Sequence, residues 1–405
     1  MKKCILFVDD GPKILEGLGR MLRVMRHEWD MHFATGGLEA LELMARESID
    51  LVVSDMRMPG MNGLEFLTEV KARYPNVIRI VLSGHADQLL IMRAVGVTHQ
   101  YLSKPCDAEA LRSTVTRALE LRALLGNDPI KRLISRLSVL PSLPALYSEI
   151  VSELQSADAS IHRAGEIIAK DPGMTAKILQ LVNSAFFGIR RVVSNPADAA
   201  AYLGLETIQS LVLSLHAFAR FEACRLPGCS IDQIWSHSMA AGLLAKRIME
   251  GEKAGRAQAA EAFTAGLLHD LGKLVLTANL PQEYGTVLAR VAHGEVALHD
   301  AEREVLGSTH AEIGSYLLGL WGLPDPIIEA VALHHRPGEC ADKAFGPLCA
   351  VHAANVLEKE HSSGTAFPGQ ASRLDLTYLD AIGKACRLEN WRAWSVDPTL
   401  RGAVA

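Results

Sequence analysis

Five residues in the first quarter of the chain have the makings of a phosphoryl-accepting centre: the pair Asp9-Asp10, then Asp55, Ser83 and Lys104. Each stands at the end of a short apolar run. Side chains at the carboxyl ends of neighbouring parallel strands converge on one crevice. Three carboxylates gathered there repel one another unless a cation joins them, and hard oxygen ligands with open positions suit Mg²⁺. Mg²⁺ and Lys104 would neutralise the oxygens of a phosphoryl group while Asp55 attacks it. Turn preference alone accounts for one or two aspartates at strand ends. It does not account for a double Asp, a single Asp, a Ser and a Lys-Pro closing four different strands in this order.

A second set of chemistry-bearing residues lies far downstream: His237, the run His269-Asp270-Leu271-Gly272-Lys273, His310 and the pair His334-His335. Imidazole and carboxylate are first-choice ligands for transition metals, and an adjacent His-Asp can place two ligands at one site. Any one histidine is more simply read as a satisfied core or helix-end residue. Eight of the 15 histidines fall between positions 237 and 352, which favours a cluster.

The elements that must position these groups differ between the two halves. Residues 4–8, 31–34, 51–54, 79–82 and 100–102 are short apolar, β-branched runs, and Leu51-Val52-Val53 lacks polar alternation, as a strand covered on both faces does. Between them apolar residues recur at helical spacing, as at Leu38, Leu41 and Met44 and at Leu64, Leu67 and Val70. The pattern predicts a doubly wound α/β sheet. Residues 107–125 read as a further helix, and Asp128-Pro129 opens another that runs to position 140. Beyond 130 no strand alternation is visible, and Gly/Pro punctuation separates helical stretches. Residues 361–370 read as a loop and 374–388 as a closing helix.

The acidic constellation, with Met58-Pro59-Gly60-Met61-Asn62-Gly63 after Asp55, resembles the receiver domain of two-component response regulators from residue 3 to about 122. The resemblance implies a flavodoxin-like fold. It implies that Asp55 is the phosphoacceptor, that Asp9 and Asp10 hold Mg²⁺ with the backbone carbonyl of Arg57, and that Lys104 binds the phosphoryl group. Ser83 would be the switch hydroxyl and Tyr101 the switch aromatic, although Tyr101 is equally a half-buried strand tyrosine.

The helical half resembles the HD superfamily of metal-dependent phosphohydrolases through His237, His269-Asp270 and a late position. Lys273 matches a lysine of the HD-GYP phosphodiesterase branch, and His310, His334 and His335 resemble that branch's additional ligands. Two departures stand out. The final acid of the HD set is here Asn355, and Arg336-Pro337-Gly338 follows the histidine pair in place of Gly-Tyr-Pro. The motifs Leu140-Pro141-Ser142-Leu143-Pro144, Lys170-Asp171-Pro172-Gly173-Met174-Thr175, Asn183-Ser184-Ala185 and Tyr202-Leu203-Gly204 resemble the HDOD domain, an HD-related all-α output module. Asp171, Pro144, Pro172 and Asn183 read as caps and first-turn residues, without a site role. The implied organisation is a receiver over 1–124, a helical linker over 125–140, an HDOD domain over 141–360 and a C-terminal helical extension over 361–405.

Composition narrows the functions. With 405 residues, 49% of them hydrophobic, the chain can build several cores, and its net charge of −5 gives no reason to expect nucleic acid or an anionic membrane as partner. The apolar runs are too short for a signal peptide or a membrane span, which points to the cytoplasm, and seven scattered cysteines read as reduced thiols. A sensor histidine kinase or a small phosphodonor would supply the phosphoryl group. The first reading is a transducer acting through contacts with a downstream protein or its own second copy. The second is a phosphorylation-gated phosphodiesterase or phosphohydrolase, with a divalent transition metal on the HD residues. A DNA-binding regulator ranks last, because no basic recognition helix is visible.

Overall fold

The computed structural model describes residues 2–83, 97–124, 140–142, 144–156, 158–183, 193–205, 208, 218–220, 231–292, 296–361 and 373–396. The first part is a five-stranded parallel sheet: β1 (Lys3–Val8), β2 (Trp29–Ala34), β3 (Leu51–Asp55), β4 (Ile78–Ser83) and β5 (Gln100–Ser103), in the order β2-β1-β3-β4-β5. It is flanked by α1 (Pro12–Met21), α2 (Gly37–Met44), α3 (Gly63–Arg73) and α4 (Ala108–Leu124). All five residues of β3 are buried, as the unbroken apolar run predicts. An Asn62–Glu65 capping box starts α3 just after the acidic crevice. The helical stripe of α2 differs from its prediction. Leu38 is 64% exposed, and the inward face is Gly37, Ala40 and Met44.

The second part is mostly helical: α5 (Pro144–Gln155), α6 (Ile161–Ile168), α7 (Pro172–Val182), α8 (Pro196–Leu203), α9 (Ile231–Gly251), α10 (Arg256–Leu268), α11 (Leu271–Asn279), α12 (Pro281–Ala292), α13 (Leu298–Leu306), α14 (His310–Leu320), α15 (Asp325–Leu333) and α16 (Pro347–His361). Two corrections apply here. Leu140–Ser142 (β6) and Phe218–Arg220 (β7) pair as a small parallel sheet, too short for alternation to show in sequence. The expected closing helix is two helices, α17 (Leu376–Ala381) and α18 (Leu388–Ser395), interrupted at Gly383. Glu252 anchors this segment to the end of α9 by accepting from Lys384, Arg387 and Trp391. The expected linker helix lies outside the described residues except at Leu140, as does most of the 361–370 loop. Among the described residues no helix is long and apolar enough to cross a membrane.

The two parts meet on one face. Helix α4 packs against α14. Arg117 donates to the Leu323 carbonyl at 2.8 Å and pairs with Asp325 at 2.6 Å, while Gln180 on α7 donates to the His99 carbonyl at 3.3 Å.

Candidate functional sites

In the sheet domain, β1, β3 and β5 deliver Asp9, Asp55 and Lys104 to one point. Lys104 Nζ bridges Asp9 Oδ2 at 2.6 Å and Asp55 Oδ1 at 2.5 Å. The remaining carboxylate oxygens accept backbone amides, Asp9 Oδ1 from Gly11 and Asp55 Oδ2 from Arg57, both at 2.9 Å. Asp10 lies exposed beside them. Burial raises the Asp55 carboxyl above its ordinary value, Lys104 opposes that shift, and Asp9 adds to it. Three carboxylates against one ammonium leave an excess of two negative charges, which a hard dication such as Mg²⁺ fits. The backbone of β4 ends at Ser83, as the strand-end reading requires. Tyr101, on β5, is 2% exposed, so it is fully buried and not half-buried as a strand tyrosine was expected to be.

In the helical domain the histidines converge on Asp270. Close backbone contacts make this possible. A Cβ on Gly266 would lie 2.6 Å from the Gly242 Cα, so α9 and α10 cross with their backbones nearly touching, near His237 and His269. A Cβ on Gly272 would lie 2.0 Å from the His310 carbonyl oxygen, so only glycine lets α11 abut the start of α14. Asp270 Oδ2 lies 3.4 Å from His269 Nε2 and 4.0 Å from His237 Nε2. Its Oδ1 lies 3.4 Å from His310 Nε2 and 3.9 Å from His334 Nε2. Two metal-ligand groups result, His237/His269/Asp270 and His310/His334/His335.

The tautomers follow from the hydrogen bonds. His269 Nδ1 sits 2.6 Å from the Gly266 carbonyl and His334 Nδ1 2.8 Å from that of Val331, so each Nδ1 donates and each Nε2 carries its lone pair inward. His310 Nδ1 is held by Glu302 at 2.6 Å, and Glu302 also accepts from the His310 amide and from Tyr284. This carboxylate–histidine pairing is what orients metal-binding imidazoles. His269 Nε2, His334 Nε2 and Asp270 Oδ1 are buried acceptors with no hydrogen-bond partner. His335 Nε2 lies 3.0 Å from His310 Nε2, the separation of two nitrogens at right angles on one metal with bonds of about 2.1 Å. Burial pushes His269 down to about 3 and holds His334 and His335 well below the imidazole range, so these rings are neutral and ready to ligate. Burial alone would raise Asp270, but His269 and Lys273 hold its carboxyl well below the usual range. The residues present therefore fit a divalent transition metal.

One expected role changes on this geometry. Lys273 pairs with Asp270 at 2.7 Å and is 1% exposed, so it does not stand open to a phosphate. Among the described residues, the Lys359 side-chain nitrogen, one turn beyond Asn355 on α16, is buried without a hydrogen-bond partner. Asn355, read from the sequence as the departure from the HD acid, places its Oδ1 3.0 Å from His237 Nε2, and Glu358 on the same helix takes His237 Nδ1. Glu302, Lys359 and Glu358 escape the sequence reading. The spacing of 355, 358 and 359 on one helical face is the signal that could find two of them. Asn183 bonds the backbone of Val193 through both its amide atoms, and Asp171 caps α7 through the Met174 amide.

The response regulator receiver domain family matches residues 5–116, and the HDOD domain family matches residues 140–337. An uncharacterised protein of Treponema pallidum is 27% identical over 221 residues, 55% of this chain and 42% of that protein. The hydrogenase transcriptional regulatory protein HoxA of Cupriavidus necator is 33% identical over 42% of this chain and 34% of its own length. The crystal structure of the MmoQ response regulator of Methylococcus capsulatus, 25% identical, superposes with a TM-score of 0.50 over 63% of this chain and 98% of that one. The chain spans less than half the length of either of these curated relatives.

Proposed function

The chain belongs to the two-component response regulators, with a receiver domain followed by an HDOD output domain, and from that premise we propose that phosphorylation of Asp55 controls the helical domain through the Arg117 contact. A sensor histidine kinase or a small phosphodonor supplies the phosphoryl group. The bond from phosphorus to its donor breaks as the bond to an Asp55 oxygen forms. Mg²⁺, when bound, balances charge on the transferring oxygens, and Lys104 exchanges its Asp55 contact for the new phosphoryl oxygens.

The observation that carries the coupling is where Arg117 grips. Leu323 lies in the turn joining α14 to α15 and Asp325 opens α15, and the other ends of those two helices hold His310 and His334-His335. The receiver thus holds one end of a helical pair about 16 Å long whose far end forms the histidine cluster. Movement of β5, which carries Tyr101 and runs into Lys104, reaches α4 and then this pair. The output is a changed contact with a downstream protein. Moving such a switch from mostly off to mostly on takes about 5.5 kcal/mol of differential stabilisation. Affinity capture with wild type and Arg117→Ala, each with and without phosphodonor, tests the reading. A partner retained or released only by phosphorylated wild type supports it, and identical behaviour of the two proteins overturns it.

The buried, partnerless Nε2 atoms favour a second reading, a metal-dependent phosphohydrolase gated by the receiver. Asn355 weighs against it, because a neutral amide cannot bridge two dications. Turnover of cyclic dinucleotides with Mn²⁺ or Fe²⁺ by wild type, lost in His269→Ala, would place this reading first.

A further inference from the structure

Apart from both sites, the amino-terminal end of the receiver sheet gathers a thiol, an imidazole and a carboxylate. Cys4 on β1 is in register with Asp30 on β2, and His32 lies two residues further along β2, so all three share one face of the sheet. Cys4 Sγ is 3.6 Å from His32 Nε2, and His32 Nε2 is 3.8 Å from Asp30 Oδ2. One ligand atom from each residue falls within 4.8 Å of the others. On a tetrahedral Zn²⁺, with bonds of about 2.3 Å to sulfur and about 2.05 Å to nitrogen, the two atoms stand about 3.6 Å apart. The Cys4–His32 pair already has that spacing.

We infer that Cys4, His32 and Asp30 form a binding site for a thiolate-preferring divalent cation of the Zn²⁺ class, with one coordination position left to solvent. The surroundings favour a cation. Asp50 accepts the Cys4 amide at 2.9 Å, and Asp30, Asp50 and Glu47 all act electrostatically on the thiol. Burial and these three carboxylates raise the Cys4 thiol, so without a metal it is protonated and unreactive, which argues against a redox or nucleophilic role. A bound dication reverses this: it displaces the proton to solvent, and the same carboxylates then stabilise the complex. The site lies about 16 Å along β1 from Asp9, on the edge strand, and would pin β2 to β1 without touching the phosphoryl-accepting crevice.

Cobalt substitution reports on this site, because among the described residues neither the receiver crevice nor the histidine cluster has a sulfur ligand. Titrating the full chain with Co²⁺ should produce a saturable thiolate-to-cobalt charge-transfer band. Cys4→Ser should abolish the band while leaving cobalt absorption from nitrogen-ligated sites. His32→Gln should weaken the binding that the band reports by at least tenfold, since loss of even an outer partner typically costs about 10–100-fold. Zn²⁺ should bleach the band. A wild-type protein without the band, or a band that survives in Cys4→Ser, overturns the assignment.

Discussion

The two acid-bearing centres of this molecule solve the problem of like charges in opposite ways. In the receiver, Lys104 lies between Asp9 and Asp55, each carboxylate has a backbone donor, and Asp10 opens to solvent. In the helical domain Asp270 is paired with Lys273 and sealed among buried imidazoles, and His269 Nε2, His334 Nε2 and Asp270 Oδ1 have no hydrogen-bond partner. The first centre pairs one ammonium with two of its carboxylates and keeps an excess of negative charge, which suits it to the Mg²⁺ and the phosphoryl group proposed for it. The second is sealed, and its unmet lone pairs fit the metal proposed for it.

The largest effect is expected at the exchangeable centre. Asp55→Asn should abolish the mass increase produced by a small phosphodonor and Mg²⁺, measured on the intact protein. Labelling at the wild-type rate would remove Asp55 from the account. Lys104→Ala should still accept the group but fail to pass on the change.

Next comes the sealed centre. Asp270→Asn removes the charge paired with buried Lys273, and breaking a buried pair costs about 3–5 kcal/mol. Chemical denaturation in the presence of a chelator reads this loss, and metal analysis of the same protein should show the site emptied. A stability change within experimental error would mean that the pair is not buried as described. Gly272→Ala sharpens the same point at smaller cost. Its methyl group meets the His310 carbonyl, and overpacking of this kind costs about 1–3 kcal/mol. Weaker metal binding should accompany the loss of stability, because α11 and the start of α14 must move apart.

How much of this is legible in the sequence follows from the same contrast. The receiver centre is readable because each strand end contributes one chemically conspicuous residue, and the parallel order brings those ends together. The ligand types of the helical centre are equally conspicuous at His269-Asp270 and His334-His335. Their supports are not. Glu302 is one acid among several on a surface-patterned helix, and nothing local says that it reaches inward to His310. His352, which ties the His334 carbonyl to the Asp375 amide, is a long-range clamp of the same kind. Lys273 misleads because helical spacing places it beside His269 without revealing that Asp270 holds it. The Arg117 grip is invisible for a similar reason, since it joins positions about 200 residues apart.

The smallest expected effect is on pH dependence of the contact between the two parts. Burial, and then the nearby Lys71, push the Lys177 ammonium down to about 7, where it lies over the Trp321 ring at 4.4 Å. Lys71 is itself pushed down to about 8 by burial and by Arg79. Opening the contact would return Lys177 toward its ordinary 10.5. Closing therefore releases a proton between pH 7 and 10.5, and the closed form gains as pH rises through that window. Below pH 7 the lysine is charged in both forms and the contribution is gone. Energy transfer between dyes on the two parts should follow this trend, and Lys177→Met should flatten it.

In the proposed coupling the receiver's state reaches the histidine cluster through α14 and α15. Hydrogen exchange on those two helices, with and without the phosphoryl analogue beryllium fluoride, tests it most directly in wild type and Arg117→Ala. Protection over 310–335 should change in wild type, and Arg117→Ala should abolish that change, with the response around Asp55 intact in both. Equal protection over 310–335 in wild type with and without the analogue would contradict it.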